Sequence, residues 1–180
     1  MVAGCGGDEG DPVEGTGYTY SVPGGWEDFS DRAQDEPSLE LGGFRPDTVV
    51  VGEAEDDFAT NVNVIREAGL PAGVTAAQYA EASIAGLRNP AAVGLPLEVV
   101  ETIESSKPRD ISEPREAELD GEDAFEWDYR STQGGRDVRV RQVAAVMDGA
   151  GYTVTLTVLP DHFGEGSEAL DEVVDSWTWK

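Results

Sequence analysis

The longest clean alternation in the chain lies at residues 152–158, where Tyr152, Val154, Leu156 and Val158 take turns with Thr153, Thr155 and Thr157. Side chains of a strand point to opposite faces at period two, so this run predicts a strand with one apolar face and one face of hydroxyls. The same rule predicts a strand over residues 137–147, with Val138, Val140, Gln142, Ala144 and Val146 on one side. It predicts another in which Phe125, Trp127 and Tyr129 share a face opposite Glu126, Asp128 and Arg130. Gln133-Gly134-Gly135 and Asp148-Gly149 join the three into a meander, the second with the composition of a type I′ hairpin turn. Further strands are expected at residues 18–22, 48–51, 60–66, 95–103 and 115–119.

Two stretches carry the helical period instead. Thr75 with Gln78 three positions on forms a capping-box pattern, and Ala76, Tyr79, Ala80, Ile84 and Leu87 then fall on one face until Asn89-Pro90 ends the helix. Leu170, Val173, Val174 and Trp177 make a second stripe, with Ser167 as the expected N-cap. Residues 27–36 crowd carboxylates around Phe29 and fit either a short surface helix or an acidic loop, after which Leu39, Leu41 and Phe44 are expected to return to the core. Strands outnumber helices and hairpins join the clear neighbours, so the expected fold class is α+β, a mainly antiparallel sheet with helices packed against it.

A chain of 180 residues fits one domain, placed here at residues 17–180. Ahead of it, residues 1–15 hold five Gly, four carboxylates and a Pro without apolar periodicity, the composition of a flexible tether, expected to run through residue 16. Charge narrows the partners. Twelve basic against 37 acidic residues leave a formal net charge of −25, which repels the phosphates that dominate nucleic-acid affinity and disfavours anionic lipid head groups. With one Cys and one His the chain can form neither an internal disulfide nor a Cys/His zinc site, and nothing in it calls for a cofactor.

The remaining candidates for chemistry are few. His162, in Asp161-His162-Phe163, is the one side chain whose ordinary pKa lies near neutrality, so any histidine base must be this residue; a loop or helix-lead-in role is the simpler reading. Glu53-Ala54-Glu55-Asp56-Asp57 and Asp120-Gly121-Glu122-Asp123 are rich enough in oxygen ligands to be considered for Ca²⁺, although neither has EF-hand spacing, and solvated turns account for them as well. The row Phe125, Trp127, Tyr129 lines either a ligand groove or plain core, with core the expectation. Arg130, Arg139 and Arg141 either read an anion or pair across the sheet with Glu126 and Asp128, and pairing is the expectation. No catalytic residue is assigned, and the chain is expected not to be an enzyme.

Val2-Ala3-Gly4-Cys5-Gly6-Gly7 resembles the end of a bacterial lipoprotein signal peptide, in which small residues precede the cysteine that is acylated. Only four residues precede Cys5, so the apolar and basic parts of such a peptide are expected upstream of Met1. Cys5 is then the expected lipid attachment and the membrane is reached through it. The folded part adds Tyr20-Ser21-Val22-Pro23 before Trp26, Asn61-Val62-Asn63-Val64, Asp148-Gly149 before Tyr152-Thr153-Val154-Thr155, and Asp175-Ser176-Trp177. Together these resemble the PsbP-like lipoproteins of actinobacteria, of the LpqN type. The resemblance implies an antiparallel sheet with helices on both faces, an extracytoplasmic lipoprotein, and action by binding an unidentified protein or envelope component. A cation-binding protein that uses its acidic loops for stability or assembly is the alternative.

Overall fold

Every residue of strand β9 (Ala150–Val158) is buried, on the hydroxyl face as well as the apolar one. A strand covered on both sides belongs at the centre of a layered fold, and the computed structural model places it there. The structure describes residues 10–35, 45–55 and 58–180. In chain order they form β1 (Pro12–Gly15), β2 (Tyr18–Ser21), β3 (Glu27–Asp28), α1 (Ser30–Asp35), β4 (Thr48–Glu55), β5 (Phe58–Ala68), α2 (Ala76–Arg88), α3 (Leu97–Ser106), β6 (Arg115–Leu119), β7 (Glu122–Gln133), β8 (Arg136–Met147), β9, α4 (Phe163–Asp175) and β10 (Thr178–Trp179). The main sheet has seven strands in the order β3-β4-β5-β9-β8-β7-β6, and a small sheet has the order β1-β2-β10. All pairings are antiparallel.

The expected meander is present in full, and its tight connections show why. Asp120, Asp148 and Gly134 occupy positive φ (47°, 51° and 58°), each followed by a glycine that does the same. Two consecutive left-handed residues make the I′ geometry whose twist matches paired strands, and Asp and Gly tolerate it best.

Alternation along the strands builds two cores. On one face Val62, Val64, Val143, Tyr152, Val154 and Leu156 pack under Leu170 and Val173 of α4 and under Tyr18 and Tyr20 of the small sheet. On the other, Trp127, Tyr129, Val138, Val140 and Ala144 pack under Tyr79, Ala80 and Ile84 of α2. The molecule is therefore α+β with helices on both faces of a mainly antiparallel sheet, as expected. Helix α2 begins with the capping box read from the sequence: Gln78 N–H donates to Thr75 Oγ1 at 3.3 Å, and Thr75 N–H donates to Gln78 Oε1 at 3.1 Å.

Four expectations change. The stretch expected as tether through residue 16 contributes a strand, because Val13 lies opposite Tyr20 and is only 1% exposed; one apolar residue in an acidic, Gly-rich setting gave too weak a period to detect. Residues 95–103, expected as a strand, instead lead into α3, which starts after Pro96 and turns Val99 inward. Ser167 does not cap α4: Pro160 opens a 3₁₀ turn over Pro160–His162 that runs into the helix and puts His162 at the cap. Within the ambiguous residues 27–36, a two-residue strand and a short helix coexist. Leu39, Leu41 and Phe44 lie outside the described residues, as does Cys5.

Candidate functional site

The aromatic row on β7 is core. Trp127 is fully buried and Tyr129 nearly so beneath α2, with Phe125 half-buried beside them. The rings serve packing, as the simpler reading had it. Above them the Tyr79 hydroxyl lies 3.2 Å from Thr153 Oγ1, and burial pushes its pKa up to about 12.

The arginines on the opposite face form one network with their neighbours. Arg141 Nη2 donates to Glu126 Oε2 at 2.7 Å, Arg115 Nε to Glu126 Oε1 at 3.1 Å, and Arg139 Nη2 to Asp128 Oδ1 at 2.9 Å. Arg141 Nη1 also reaches Asp171 of α4 at 2.9 Å, and the Arg139 guanidinium lies 3.4 Å above the Phe163 ring. Burial works to raise the Glu126 pKa, but the hydrogen bonds and charges of Arg141 and Arg115 outweigh it and hold the carboxyl below its ordinary value. Arg139 and Arg141 are thus engaged within the fold and clamp α4 to the sheet, at its first residue and in its second half. Arg130 lies apart, 3.8 Å from Asp110.

The acidic clusters separate. Asp120 belongs to a hairpin turn, where its Oδ2 accepts the Trp179 N–H at 2.9 Å and anchors β10. Glu53 and Glu55 stand at the end of β4, and Asp56 and Asp57 lie outside the described residues. Among the described residues no three Asp, Glu, His or Cys side chains are grouped as a metal would require.

Glu55 has a different neighbour. Its Oε2 lies 2.8 Å from His162 Nε2, while the other ring nitrogen of His162 lies 3.4 Å from Glu165. Hydrogen bonding to Glu165 and the charge of Glu55 raise the His162 pKa. With carboxylates at both nitrogens, the imidazole is placed to hold a proton and an ion pair. These residues line a cleft of about 490 Å³ together with Trp26, Phe58, Glu53 and four glycines. Sequence reading places His162 and Glu55 in separate candidates, because the 106 residues between them hide the fact that the α4 start folds back over the β4 end.

A larger concavity, of about 850 Å³, opens on the α2 face. It is a mainly apolar groove between α2 and α3, with Val74, Leu87, Val93, Leu95, Val99 and Ile103 on its walls and Gln142 and Thr153 among its polar lining. Val93 and Leu97, 44% and 72% exposed, are the large apolar residues left facing solvent among those described. The sequence reading missed this groove because it assigned residues 95–103 to the sheet. The available signal was Leu95, Val99 and Ile103, which recur at intervals of four, as on one helix face.

No protein-family model and no curated protein matches the chain. Solved structures do. The solution structure of the cyanobacterial PsbP (CyanoP) of Synechocystis sp. PCC 6803 superposes with a TM-score of 0.60 at 19% identity, over 100% of this chain and 98% of that one. The crystal structure of LpqN of Mycobacterium tuberculosis, described as involved in cell envelope biogenesis, gives 0.57 at 17% identity, over 93% of this chain and 88% of that one. A structure from Bacteroides thetaiotaomicron gives 0.53 at 11% identity over 96% of this chain and 49% of that one. The fold expected from the sequence resemblance is the fold observed: this chain is PsbP-like in structure.

Proposed function

We propose that this PsbP-like chain is a lipid-anchored, non-enzymatic binding module of the cell envelope. It is held to the outer face of the cell membrane through Cys5 and seats its ligand in the groove between α2 and α3. The groove carries the reading: about 850 Å³ of mainly apolar lining, in a chain whose other surfaces are dominated by carboxylates, is a favourable seat for an apolar part of a ligand. The likeness to LpqN and the small residues before Cys5 support the location. Binding without catalysis is supported by His162, whose two ring nitrogens are engaged by the carboxylates of Glu55 and Glu165.

Two experiments test the two parts. Expressed with an upstream signal peptide, the wild-type chain is expected in the membrane fraction with an acylated Cys5, and Cys5→Ala in the soluble fraction; equal partitioning removes the anchor. For the groove, the uncharged dye N-phenyl-1-naphthylamine should gain fluorescence with the wild type and lose it with Ala82→Trp. Ala82 is an exposed groove residue of α2, so the variant fills the space without entering the core. Undiminished dye binding to Ala82→Trp removes the groove.

A further inference from the structure

The second concavity differs from the groove in chemistry. Glu53 and Glu55 of β4 and Glu165 of α4 line it, with His162 as its one basic group and neither Lys nor Arg among its walls. Trp26 and Phe58 supply aromatic surface. Gly24 and Gly25 leave one rim without side chains, and a Cβ on Gly52 would come within 3.1 Å of the Trp26 ring, so the indole rests directly on the β4 backbone. Glu53 has no hydrogen-bond or ion-pair partner among the described residues, and Glu55 and Glu165 share the single imidazole.

This combination selects among cations. A bare metal ion needs several oxygens converging at bonding distance, whereas no such group occurs among the described residues and the space, about 490 Å³, is far larger than an ion. Carboxylates beside aromatic rings in a roomy cleft suit an organic cation, which gains from charge and from the ring together and is more weakly hydrated than a metal ion. His162 already shows the arrangement in miniature, as the chain's own nitrogen base held between two of the three carboxylates. A net charge of −25 concentrates cations at the surface as a whole, and the cleft adds shape to that attraction.

We infer that the cleft between Trp26, Glu55, His162 and Glu165 is a second binding site, which takes the ammonium group of a small organic ligand. It stands apart from the apolar groove and does not depend on it.

Choline is the probe, 3,3-dimethylbutan-1-ol its uncharged isostere, n-butylammonium the primary-amine arm, and NaCl the control for ionic strength. The indole N–H resonance of Trp26, assigned with Trp26→Phe, and the ring resonances of His162 are followed in the full chain. Saturable shifts at both residues are expected with choline or n-butylammonium and with neither control, and the stronger of the two identifies the class of ammonium. Affinity should fall about tenfold in Glu55→Gln/Glu165→Gln. Both carboxylates are exposed, so this variant should keep the fold, which an otherwise unchanged amide spectrum verifies. Equal shifts with NaCl would reduce the cleft to ordinary counterion attraction. Equal shifts with the alcohol would make it an apolar pocket, and unchanged affinity in the double variant would remove the carboxylates from the site. Each of these overturns the proposal, as does the absence of any saturable shift.

Discussion

The Tyr18 ring lies parallel to the indole of Trp177, 4.1 Å between centroids and 9° between planes. Tyr18 sits in the second strand and Trp177 just beyond the last helix, so one contact joins the two ends of the described chain. Tyr20 continues the stack at 5.9 Å from Trp177, and Trp179 meets Trp177 edge-on at 5.2 Å. Both tyrosine hydroxyls reach Thr48 Oγ1, at 2.9 and 3.1 Å, and burial pushes both phenols well above their ordinary pKa. The small sheet is thereby bonded to the main one through rings and hydroxyls together.

Removing the centre of that stack should be costly. Trp177→Ala is expected to lower stability by about 3–5 kcal/mol, the usual range for a buried Trp, and to reduce the near-ultraviolet circular dichroism of the coupled rings. Urea unfolding checks it; a loss under about 1 kcal/mol would mean that the small sheet holds without the stack.

Gly151 faces Tyr79 so closely that a Cβ there would overlap the phenol ring. Gly151→Val should therefore either displace the α2 tyrosine from Thr153 or strain β9, at about 1–3 kcal/mol. Gly151→Val combined with Tyr79→Ala should cost less than the two changes summed, and a double-mutant cycle in urea reads that coupling.

Glu126 is held ionised by Arg141 and Arg115. A carboxyl with a depressed folded pKa adds stability above its unfolded value, near 4.5, and loses it as the pH falls through the folded value. Glu126→Gln should destabilise by about 1–2 kcal/mol at pH 7, and the difference from wild type should shrink under acid. Parallel pH–stability curves for the two proteins would contradict this.

His162 behaves in the opposite sense. Its folded pKa is raised by Glu165 and Glu55, so its contribution is fully present below 6.5 and fades as the pH rises through the raised value. The chain has one histidine, which makes its Cε1–H resonance easy to follow. Titration should show a midpoint above 6.5 that moves down in Glu165→Gln and in Glu55→Gln. A wild-type midpoint at or below 6.5 would show that neither carboxylate is paired in solution.

Local pattern made much of the fold legible. Residues 152–158 alternate without interruption, and the Asp-Gly and Gly-Gly turns beside the meander have few conformations open to them. The capping box at Thr75 and Gln78 works for the same reason, since its two hydrogen bonds join residues three apart. Residues 95–103 failed because β-branched side chains state a weak preference that a Pro-initiated helix without a strand neighbour overrides. Neither concavity was legible: the groove required α3 to be a helix laid beside α2, and the cleft required β4 and α4 to meet.

What the sequence alone determined is what its local periods and gross charge encode: the α+β class, the meander and its turns, the α2 start, and a strongly acidic net charge. The tertiary structure decided which distant residues share a place. It put Val13 against Tyr20, Tyr18 against Trp177, and His162 between Glu55 and Glu165. The physical reason is range. Backbone hydrogen bonding and side-chain period act over a few residues and leave a trace in the sequence, whereas a cleft or an ion pair depends on how whole elements close over a core, which no local pattern records.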